Sequence, residues 1–381
     1  MIRDSLHGYI EPNEEEWRIL DSPEMQRLRR IRQMGLSPLV YPSGTHTRFQ
    51  HSVGVMHVAG RFAESLNLNE QRTREVRMAG LMHDLGHGPF SHASEAVAEQ
   101  KGLSHEEISC RKIDKLEDKF SVSANRIKKM IRGELEVGQV VAGDIDADRM
   151  DYLQRDAHTS GAEYGHIDSD TIIQRAMIDS RRLVFDYKAV QALESLLTAR
   201  FHMIKSVYLH DTSRIAEKML ERALEDYVEK NSLEKMMALD DYSAHNELLN
   251  STGTARNYYS RIKDRDLFKT ALSWDVENRS REDLKKLEEK VDEKEIEKEI
   301  AEAAQVSKEK VVANKPWTPE IKDMDIKIKR KGNVRNLSNY SPIPKALSKA
   351  EWRLVDMNIY TDAAQKAKVR EAAEQVLEEK L

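Results

Sequence analysis

The sequence has little of several residue types, and each scarcity excludes a class of protein. One cysteine, Cys110, rules out an intrachain disulfide and fits a reducing compartment. Glycine and proline supply only 16 and 9 of the 381 residues, which predicts a mostly helical chain. No apolar run reaches the ~18 residues of a membrane helix, and the opening MIRDSLHGYI has no signal-peptide core. We therefore expect a soluble, cytoplasmic protein with no membrane partner.

An excess of positive charge is also missing. The 61 Lys and Arg residues are outnumbered by 66 Asp and Glu, and the formal net charge is −5. This balance argues against nucleic acid as a general partner, although it leaves a local basic cleft open. The length of 381 residues predicts two domains, or one large domain with an appendage.

Helical periodicity dominates the chain up to about residue 275. The pattern predicts two short helices separated at Ser22-Pro23 and a helix that begins near residues 45–47. The next helix should end at Gly86, and Pro89 suits the first turn of the helix after it. Further helices are predicted over residues 104–116, 121–132, 145–158 and 187–230, the last being the longest.

The composition changes at residues 276–304, which are rich in Glu and Lys. A partner-binding coiled coil would need a longer apolar repeat, so the favoured interpretation is a solvated helical connector with one packed edge. Its apolar residues form a narrow stripe and a second pair out of phase with it: Leu284, Leu287 and Val291, then Ile296 and Ile300.

Residues 305–381 combine two periodicities. DMDIKIKR and EWRLVDMNIYTD alternate like half-buried strands, and a helix closes the chain. The fold class predicted from the sequence is therefore mostly α: a helical domain over residues 1–275, a charged connector over 276–304, and a small α+β lobe over 305–381.

The stretch GLMHDLGHGPFSH concentrates three of the chain's 13 histidines. By itself it could be a buried hydrogen-bonded cluster, a metal site, or a set of acid–base groups beside a phosphate. Adjacent helical residues point about 100° apart, so His83 and Asp84 can meet one ion only where the helix ends or bends, which Gly86 permits. His51 lies on the preceding helix and can contribute a further donor. A fourth could come from GDIDADRMDYLQRDAH, which offers Asp144, Asp146, Asp148, Asp151 and Asp156.

The joint pattern His51…His83-Asp84…Asp148 resembles the HD superfamily of metal-dependent phosphohydrolases. TRFQHS and HDLGHGPFSH are similar to the deoxynucleotide triphosphohydrolase branch, which contains the dGTPases and the animal sterile-alpha-motif/HD-domain protein. The match covers about residues 2–220 in motif order and spacing, and the later residues only in general plan. The resemblance implies a helical HD core in which these four residues ligate a divalent ion: Mn, Fe, Ni, Co, Zn or Mg. Asp146 and Asp151 are alternatives to test.

The same resemblance suggests the acid–base groups. It implies that His87 and His92 contact the phosphate, with His92 favoured as the general acid, because the leaving oxygen needs a proton and histidine titrates near neutrality. His105 and Glu106 are expected beside the scissile phosphate. The alternative is that His87 and His92 only orient other groups.

A triphosphate needs cations and donors in its cleft. The resemblance places eight residues in the nucleotide cleft: Gln33, Arg48, Arg149, Tyr152, Asp156, Arg200, Tyr208 and His210. Arg149 stands where the animal protein has lysine. Met34 replaces a leucine that excludes a 2′-hydroxyl, so discrimination against ribonucleotides is expected to be looser.

Regulated members of the family read guanine at residues that match Asp21, Gln26 and Arg29. Arg3 and Ser5 depart from the family's usual asparagine and proline, which weakens the match. The alternative is that Asp21 caps a helix and Arg29 lies on the surface. A guanine-nucleotide activator would imply a site at a subunit interface, and hence a homo-oligomer, either a dimer or a tetramer.

Three functions remain open at this point. The leading hypothesis is a metal-dependent dNTP triphosphohydrolase that accepts dGTP and releases deoxynucleoside and tripolyphosphate. A second is an HD phosphatase or phosphodiesterase that acts on nucleoside monophosphates or other phosphoesters, which would not need the full set of arginines. A third is a non-catalytic nucleotide sensor or nucleic-acid-binding HD protein. The presence of all four ligand positions argues against the third.

Overall fold

The computed structural model of the chain describes residues 1–275, 291–315, 325–354 and 356–380. Helices dominate these ranges and small sheets accompany them, which confirms the prediction of a mostly α chain with a small α+β part. The α-helices are α1 Glu14–Leu20, α2 Pro23–Arg27, α3 Arg48–Ser65, α4 Glu70–Met82, α5 His92–Glu99, α6 His105–Lys115, α7 Ala124–Ile131, α8 Ala147–Ser160, α9 Ser169–Gln174, α10 Val190–Met203, α11 Asp211–Lys230, α12 Leu233–Ala238, α13 Asp241–Asn250, α14 Thr254–Lys263, α15 Glu293–Ala303, α16 Ile343–Glu351 and α17 Lys366–Lys380. Within the described ranges we find no helix that combines the length and apolar character needed to span a bilayer.

In the described ranges, short strands form three small sheets. The strands are β1 Ile2–Asp4, β2 Gly8–Ile10, β3 Ala176–Asp179, β4 Arg182–Asp186, β5 Lys269–Asp275, β6 Val311–Asn314, β7 Lys327–Arg330, β8 Asn333–Asn336 and β9 Asp356–Thr361. β1 and β2 form an antiparallel hairpin, and the other sheets have the orders β3–β4–β7–β8 and β5–β9–β6. In the second sheet β4 and β7 are parallel, with Phe185 opposite Ile328. The pairs β4–β7 and β5–β9 therefore join early and late parts of the chain, and the three-part division of domains stays a prediction.

Helix α3 carries the first metal-site candidate and lies in the largest core. Thr47 precedes it, and the Thr47 N–H donates to Gln50 Oε1 at 2.9 Å, which satisfies one of the free donors of the first turn. The predicted start near residues 45–47 is thus close to the observed one. Apolar residues of α3 pack with those of α4, α7, α8 and α10, so that the helices carrying the site are fixed against one another.

The turn after α4 ends the helix earlier than Gly86 and reverses the chain before α5. Phe90 and Ser91 have φ angles of 59° and 49°, in the left-handed region that non-glycine residues rarely adopt. Helix α5 begins only at His92. The prediction that Pro89 lies in the first turn of this helix is therefore wrong, because two left-handed residues separate it from the helix.

The long helix predicted over residues 187–230 is interrupted. α10 ends at Met203, residues Ile204–Tyr208 form a π-helical turn, and α11 begins at Asp211 after His210, whose Nδ1 accepts from the Thr212 N–H at 3.2 Å. Single π-helical turns interrupt helices frequently at functional sites. Apolar periodicity alone did not reveal the break, because the burial pattern continues on both sides of it.

For residues 291–304, the described part of the predicted connector, the structure shows a helix with a packed edge, while the connector as a separate unit stays a prediction. Helix α15 buries Ile296 and Ile300 in a core with β6, β9 and α17, and Val291 joins that core. Glu297 is also buried and accepts from Arg222 of α11 at 2.8 Å. Leu284 and Leu287 lie outside the described residues. Buried ion pairs with α11 explain why a charge-rich helix can pack on two faces.

Candidate metal centre and acid–base groups

The four residues proposed as metal ligands come together from three helices. His51 lies on α3, His83 and Asp84 follow the end of α4, and Asp148 lies in the first turn of α8. His51 Nε2 is 2.9 Å from Asp148 Oδ1 and 3.8 Å from Asp84 Oδ2. His83 Nε2 is 3.1 Å from Asp84 Oδ1 and 3.8 Å from Asp148 Oδ1. Two imidazoles and two carboxylates at these separations form a plausible donor set for a divalent ion.

The imidazole tautomers fit a metal site. The second ring nitrogen of each histidine is occupied, since His51 Nδ1 lies 2.9 Å from Asp151 Oδ2 and His83 Nδ1 lies 2.8 Å from the Gly80 carbonyl. The Nε2 atoms of both residues are buried and have no hydrogen bond of good geometry among the described residues. A buried Nε2 atom without a well-oriented hydrogen bond is costly unless a cation binds it, and a metal ion would do so.

Charged groups of both signs surround the buried ligands of this cluster. Burial disfavours the charged form of His51, but the nearby carboxylates of Asp148 and Asp151 raise its pKa to about 10, so a cation, either a proton or a metal ion, is favoured at Nε2. Burial likewise opposes the charge of Asp84, yet Arg48 and the neighbouring histidines hold the pKa of this carboxyl well below its usual range. The cluster therefore keeps ionised carboxylates in a buried place and favours positive charge between them.

Asp146 and Asp151, the alternative ligands, have other partners. Asp146 caps α8, accepting from the Arg149 N–H at 2.8 Å and the Gly143 N–H at 3.0 Å. Asp151 contacts the far side of His51 rather than its Nε2. Capping explains why the acidic stretch contains more carboxylates than a single ion can use.

The turn between His83 and Gly88 is held by groups that bond its backbone. Ser109 Oγ donates to the His83 carbonyl at 2.6 Å and accepts from the Gly86 N–H at 2.8 Å. A Cβ at Gly86 would lie 1.9 Å from the His105 carbonyl, so only glycine fits there. The turn that lets adjacent ligands converge thus depends on close approach of α6.

A second donor set lies next to the first. One ligand atom each of Asp84, His87 and His105 also falls within a 4.8 Å cluster, as do those of His51, His83 and Asp148. His87 Nε2 is 3.3 Å from Asp84 Oδ1, and its ring stacks on His105 with centroids 4.1 Å apart. Burial, together with Arg48 and His105, lowers the pKa of His87 to about 3, so this imidazole is neutral. Its neutrality favours a hydrogen-bonding role over a general acid.

Glu95 joins the remaining acid–base candidates, and the sequence interpretation missed it. It hydrogen-bonds His105 Nδ1, and its Oε2 lies 3.6 Å from His92 Nδ1. Desolvation by neighbouring groups opposes protonation of His105 and, despite its exposed ring, of His92, but Glu95 raises the pKa of each. The His92 side chain is 64% exposed, so it faces the solvent side of the site. Glu106 Oε1 lies 3.5 Å from His105 Nε2. The i, i+3 spacing of His92 and Glu95 on α5 was the available signal.

Arg48 lies beside the metal cluster and donates hydrogen bonds to two neighbouring side chains. Its Nη1 donates to Asp84 Oδ2 at 2.6 Å and its Nε donates to Ser91 Oγ at 2.8 Å. Ser91 Oγ in turn donates to the Arg32 carbonyl at 2.7 Å. Arg48 therefore contacts Asp84 and, through Ser91, the left-handed turn before α5, and its predicted place in the nucleotide cleft stays a prediction.

Four of the other seven expected cleft residues form a connected group, and three have other surroundings. Asp156 accepts from the Tyr208 hydroxyl at 2.7 Å and lies 2.8 Å from His46 Nε2. The Tyr152 and Tyr208 rings meet edge to face at 6.4 Å, and the charge of Arg200 acts on both. Residue Arg149 turns away to donate to the Gly143 and Asp144 carbonyls, and His210 caps α11. The Gln33 side chain is buried with its Oε1 unbonded in the described part of the chain.

The expected guanine-reading residues contact one another. Arg29 Nε donates to Gln26 Oε1 at 2.9 Å, and its guanidinium lies 3.5 Å from the centre of the Phe49 ring. Gln26 Nε2 donates to the Leu20 carbonyl at 2.7 Å. Asp21 ends α1, and Ser22, rather than Asp21, caps α2. Cation–π stacking and side-chain hydrogen bonds account for these positions without a ligand.

Comparison with known proteins places this geometry in a family. The sequence matches the HD domain over residues 48–156 and the HD-associated region over residues 167–380. An uncharacterised protein of Methanocaldococcus jannaschii is 36% identical over 393 aligned residues, covering all of this chain and 82% of that protein. A crystal structure of a hypothetical protein from Aquifex aeolicus is similar with a TM-score of 0.80 and 30% identity, covering 97% of this chain and 98% of the other.

Some relatives carry an activity in their names. The deoxynucleoside triphosphate triphosphohydrolase SAMHD1 homolog of Dictyostelium discoideum is 31% identical over 246 residues. The match covers 58% of this chain and 48% of that protein, so the chain spans about half the length of this relative. The HD match includes all four proposed ligands, His51, His83, Asp84 and Asp148.

Proposed function

We propose, since the chain belongs to the HD family of metal-dependent phosphohydrolases on the dNTP triphosphohydrolase branch, that it cleaves dNTPs to deoxynucleoside and tripolyphosphate and accepts dGTP. HD domains bind divalent metal ions, and this chain has histidine and aspartate groups that could coordinate one. The substrate class, the products and the roles of individual residues are the proposed part.

One observation carries the proposal. Two histidine Nε2 atoms lie within 4 Å of the carboxylates of Asp84 and Asp148 without a well-oriented hydrogen bond, and a pair of histidines that share the Glu95 carboxylate lies beside them. Hydrolysis of a phosphoric ester needs both parts, because charge develops on the phosphoryl oxygens while the leaving oxygen requires a proton.

The metal part of the site supplies electrostatic catalysis. When bound, a divalent cation polarises a phosphoryl oxygen and lowers the pKa of a water. The chain's own residues prepare this place, since Asp151 and the Gly80 carbonyl orient the two imidazoles and Arg48 orients Asp84. Fixed second partners of this kind keep the ligands in one geometry.

The acid–base part supplies the proton. Water adds to the α-phosphorus, the bond from phosphorus to the 5′-oxygen breaks, and this oxygen leaves with a proton as the deoxynucleoside. His92 is the proposed donor, because Glu95 raises its pKa and its side chain is exposed toward the substrate side. His105 shares Glu95 and is proposed to hold that carboxylate in place, with Glu106 beside it. His87 is proposed as a neutral hydrogen-bonding contact.

The nucleotide is proposed to bind beside Tyr152, Tyr208, Asp156 and Arg200. The hydroxyl of Tyr208 and the imidazole of His46 fix the carboxylate of Asp156, so this wall of the cleft is preformed. Gln33 offers an unbonded amide oxygen, which suits a sugar hydroxyl donor. The triphosphate contacts of Arg149 and His210 would require their side chains to leave the partners they have here.

The test is product analysis. Purified protein is mixed with Mn²⁺ and each dNTP, and with nucleoside monophosphates, and the products are separated by ion-exchange chromatography. Deoxyguanosine and intact tripolyphosphate from dGTP are expected. Release of phosphate from a monophosphate without cleavage of any dNTP would replace the proposal with the phosphatase alternative. If the protein cleaves neither dNTPs nor monophosphates, the remaining hypothesis is the non-catalytic nucleotide sensor or nucleic-acid-binding HD protein.

Regulation is proposed separately. Activation by a guanine nucleotide at Asp21, Gln26 and Arg29 requires that Arg29 and Gln26 exchange their present contacts for the ligand. If so, dATP is cleaved faster when dGTP is present, and the oligomer measured by light scattering grows with it. Equal rates of dATP cleavage with and without dGTP would contradict this activation.

A further inference from the structure

Asp151 is the most heavily bonded carboxylate near the proposed metal centre. Its Oδ2 contacts His51 Nδ1 at 2.9 Å and accepts from Arg155 Nε at 2.8 Å. Its Oδ1 accepts from Arg155 Nη2 at 2.9 Å and lies 2.6 Å from His7 Nε2. The Asp151 side chain is completely buried. Four polar contacts on one buried carboxylate fix its orientation far better than a single partner would.

The N-terminal hairpin supplies part of this network. His7 lies on the turn between β1 and β2, and Asp4, the last residue of β1, accepts from Arg155 Nη1 at 2.9 Å. Asp4 Oδ1 also accepts from the Leu6 and His7 backbone N–H groups, each at 2.9 Å, which shapes the turn. The hairpin thus reaches Asp151 twice, directly through His7 and indirectly through Asp4 and Arg155.

The helix opposite makes room for the same network. A Cβ at Gly54 would lie 1.9 Å from Asp151 Oδ1 and 2.5 Å from Arg155 Nη2. Glycine at this position of α3 therefore lets the Asp151–Arg155 pair lie directly against the helix that carries His51. On the outer side, His7 lines a cavity of about 440 Å³, while its own side chain is only 8% exposed.

We propose that His7 is a positioning residue of the metal centre: through Asp151 it fixes the ring of His51 so that Nε2 faces the ion. The inference rests on the proposed role of His51 as a ligand and adds the N-terminal hairpin to the site. His7 Nε2–H donates to Oδ1 and leaves Oδ2 for the His51 Nδ1–H. An imidazole whose Nδ1 carries the shared proton presents an unprotonated Nε2. His7 also closes Asp151 off from the water-accessible cavity beside it.

The test measures metal binding directly. Mn²⁺ is titrated into metal-free protein by calorimetry for wild type, His7→Leu and His7→Gln. Loss of an outer partner of a metal-bound histidine typically costs about 10- to 100-fold in affinity, and this loss is expected for His7→Leu. His7→Gln should recover most of the affinity, because its amide N–H can replace Nε2–H. His57→Leu is the matched control, since its ring lies 5.1 Å from that of His7 but no hydrogen bond joins it to Asp151.

A spectroscopic measurement guards against a variant that fails to fold. In Zn²⁺-loaded wild-type protein, imidazole ¹H–¹⁵N spectra should show hydrogen-bonded protons on His51 Nδ1 and His7 Nε2. Wild-type affinity in a folded His7→Leu variant, or no hydrogen-bonded proton on His7 in wild type, would overturn the inference. Because neither measurement uses a nucleotide, a protein that binds metal in this way but cleaves no dNTP would contradict the proposed function alone.

Discussion

The metal cluster (His51, His83, Asp84 and Asp148) and the rim of the site (His87, His92, Glu95 and His105) hold their histidines in opposite ways. The His51 and His83 side chains are 1% and 10% exposed, and each has its Nδ1 bonded to a fixed acceptor. At the rim, the His92 side chain is 64% exposed and reaches Glu95 only at 3.6 Å. A ligand must keep one protonation state and one orientation, whereas a proton donor must change its protonation state in every turnover. The burial of each group matches the task that we propose for it.

This contrast predicts that substitutions of the buried metal-cluster residues have the largest effect on metal affinity. Replacing His83 by Ala removes a ligand that the rest of the cluster cannot supply. Metal affinity should fall by more than about 100-fold, because loss of a mere outer partner already costs 10- to 100-fold. Calorimetry with Mn²⁺ and dGTP turnover measure the two consequences. His166→Ala, at an exposed histidine, is the control and should match wild type.

The rim should behave differently when its proton donor is removed. His92→Asn should lower kcat by about 10²- to 10⁴-fold, the usual contribution of a general acid, while Mn²⁺ affinity stays at the wild-type value. Steady-state kinetics and calorimetry on the same preparation give both numbers. A parallel loss of metal affinity would show that the two halves are not separable and would break the comparison.

The close packing of Asp151 against Gly54 of α3 predicts a smaller effect on metal binding and stability. Gly54→Ala forces a Cβ to within 1.9 Å of Asp151 Oδ1. Overpacking of this kind typically destabilises a protein by about 1–3 kcal/mol, and the displaced Asp151 should also weaken metal binding. Gly60→Ala on the same helix is the matched control, since its Cβ would meet mainly the flexible end of Arg77. Denaturant unfolding should separate the two variants; equal stability would argue against a tight Asp151 site.

The smallest effect concerns pH. Desolvation by neighbouring groups opposes the charged form of His92, but Glu95 raises its pKa, so His92 stays protonated to higher pH and activity is lost as pH rises through that pKa. Glu95→Gln removes the negative charge, so this alkaline loss should begin at lower pH. Profiles of kcat against pH for both proteins measure the shift. An alkaline limb at the same pH in Glu95→Gln would mean that a different group donates the proton.

The sequence revealed the buried half better than the rim. The motif spacing indicated His51, His83 and Asp84, because a helix end with a following glycine is a local feature that a sequence displays, whereas only the family resemblance selected Asp148 from five aspartates. The neutral state of His87 depends on a stacking partner and on burial, which spacing does not specify.

The sequence interpretation missed contacts that join different helices. The spacing to His92 was a local signal for Glu95, but the bond from Glu95 to His105 is visible only once α5 and α6 are seen side by side, and the same holds for the contacts of Arg48 with Asp84 and Ser91. The break of the long helix after Met203 was missed for the same reason, since tertiary packing overrides local periodicity.

Anomalous diffraction from a Mn²⁺-soaked crystal tests the central claim most directly, because two donor sets compete for the ion. The account predicts one peak bonded to His51 Nε2, His83 Nε2 and the carboxylates of Asp84 and Asp148. A peak bonded instead to Asp84, His87 and His105, with His51 and His83 unbound, would contradict it and would reassign the rim as the metal centre.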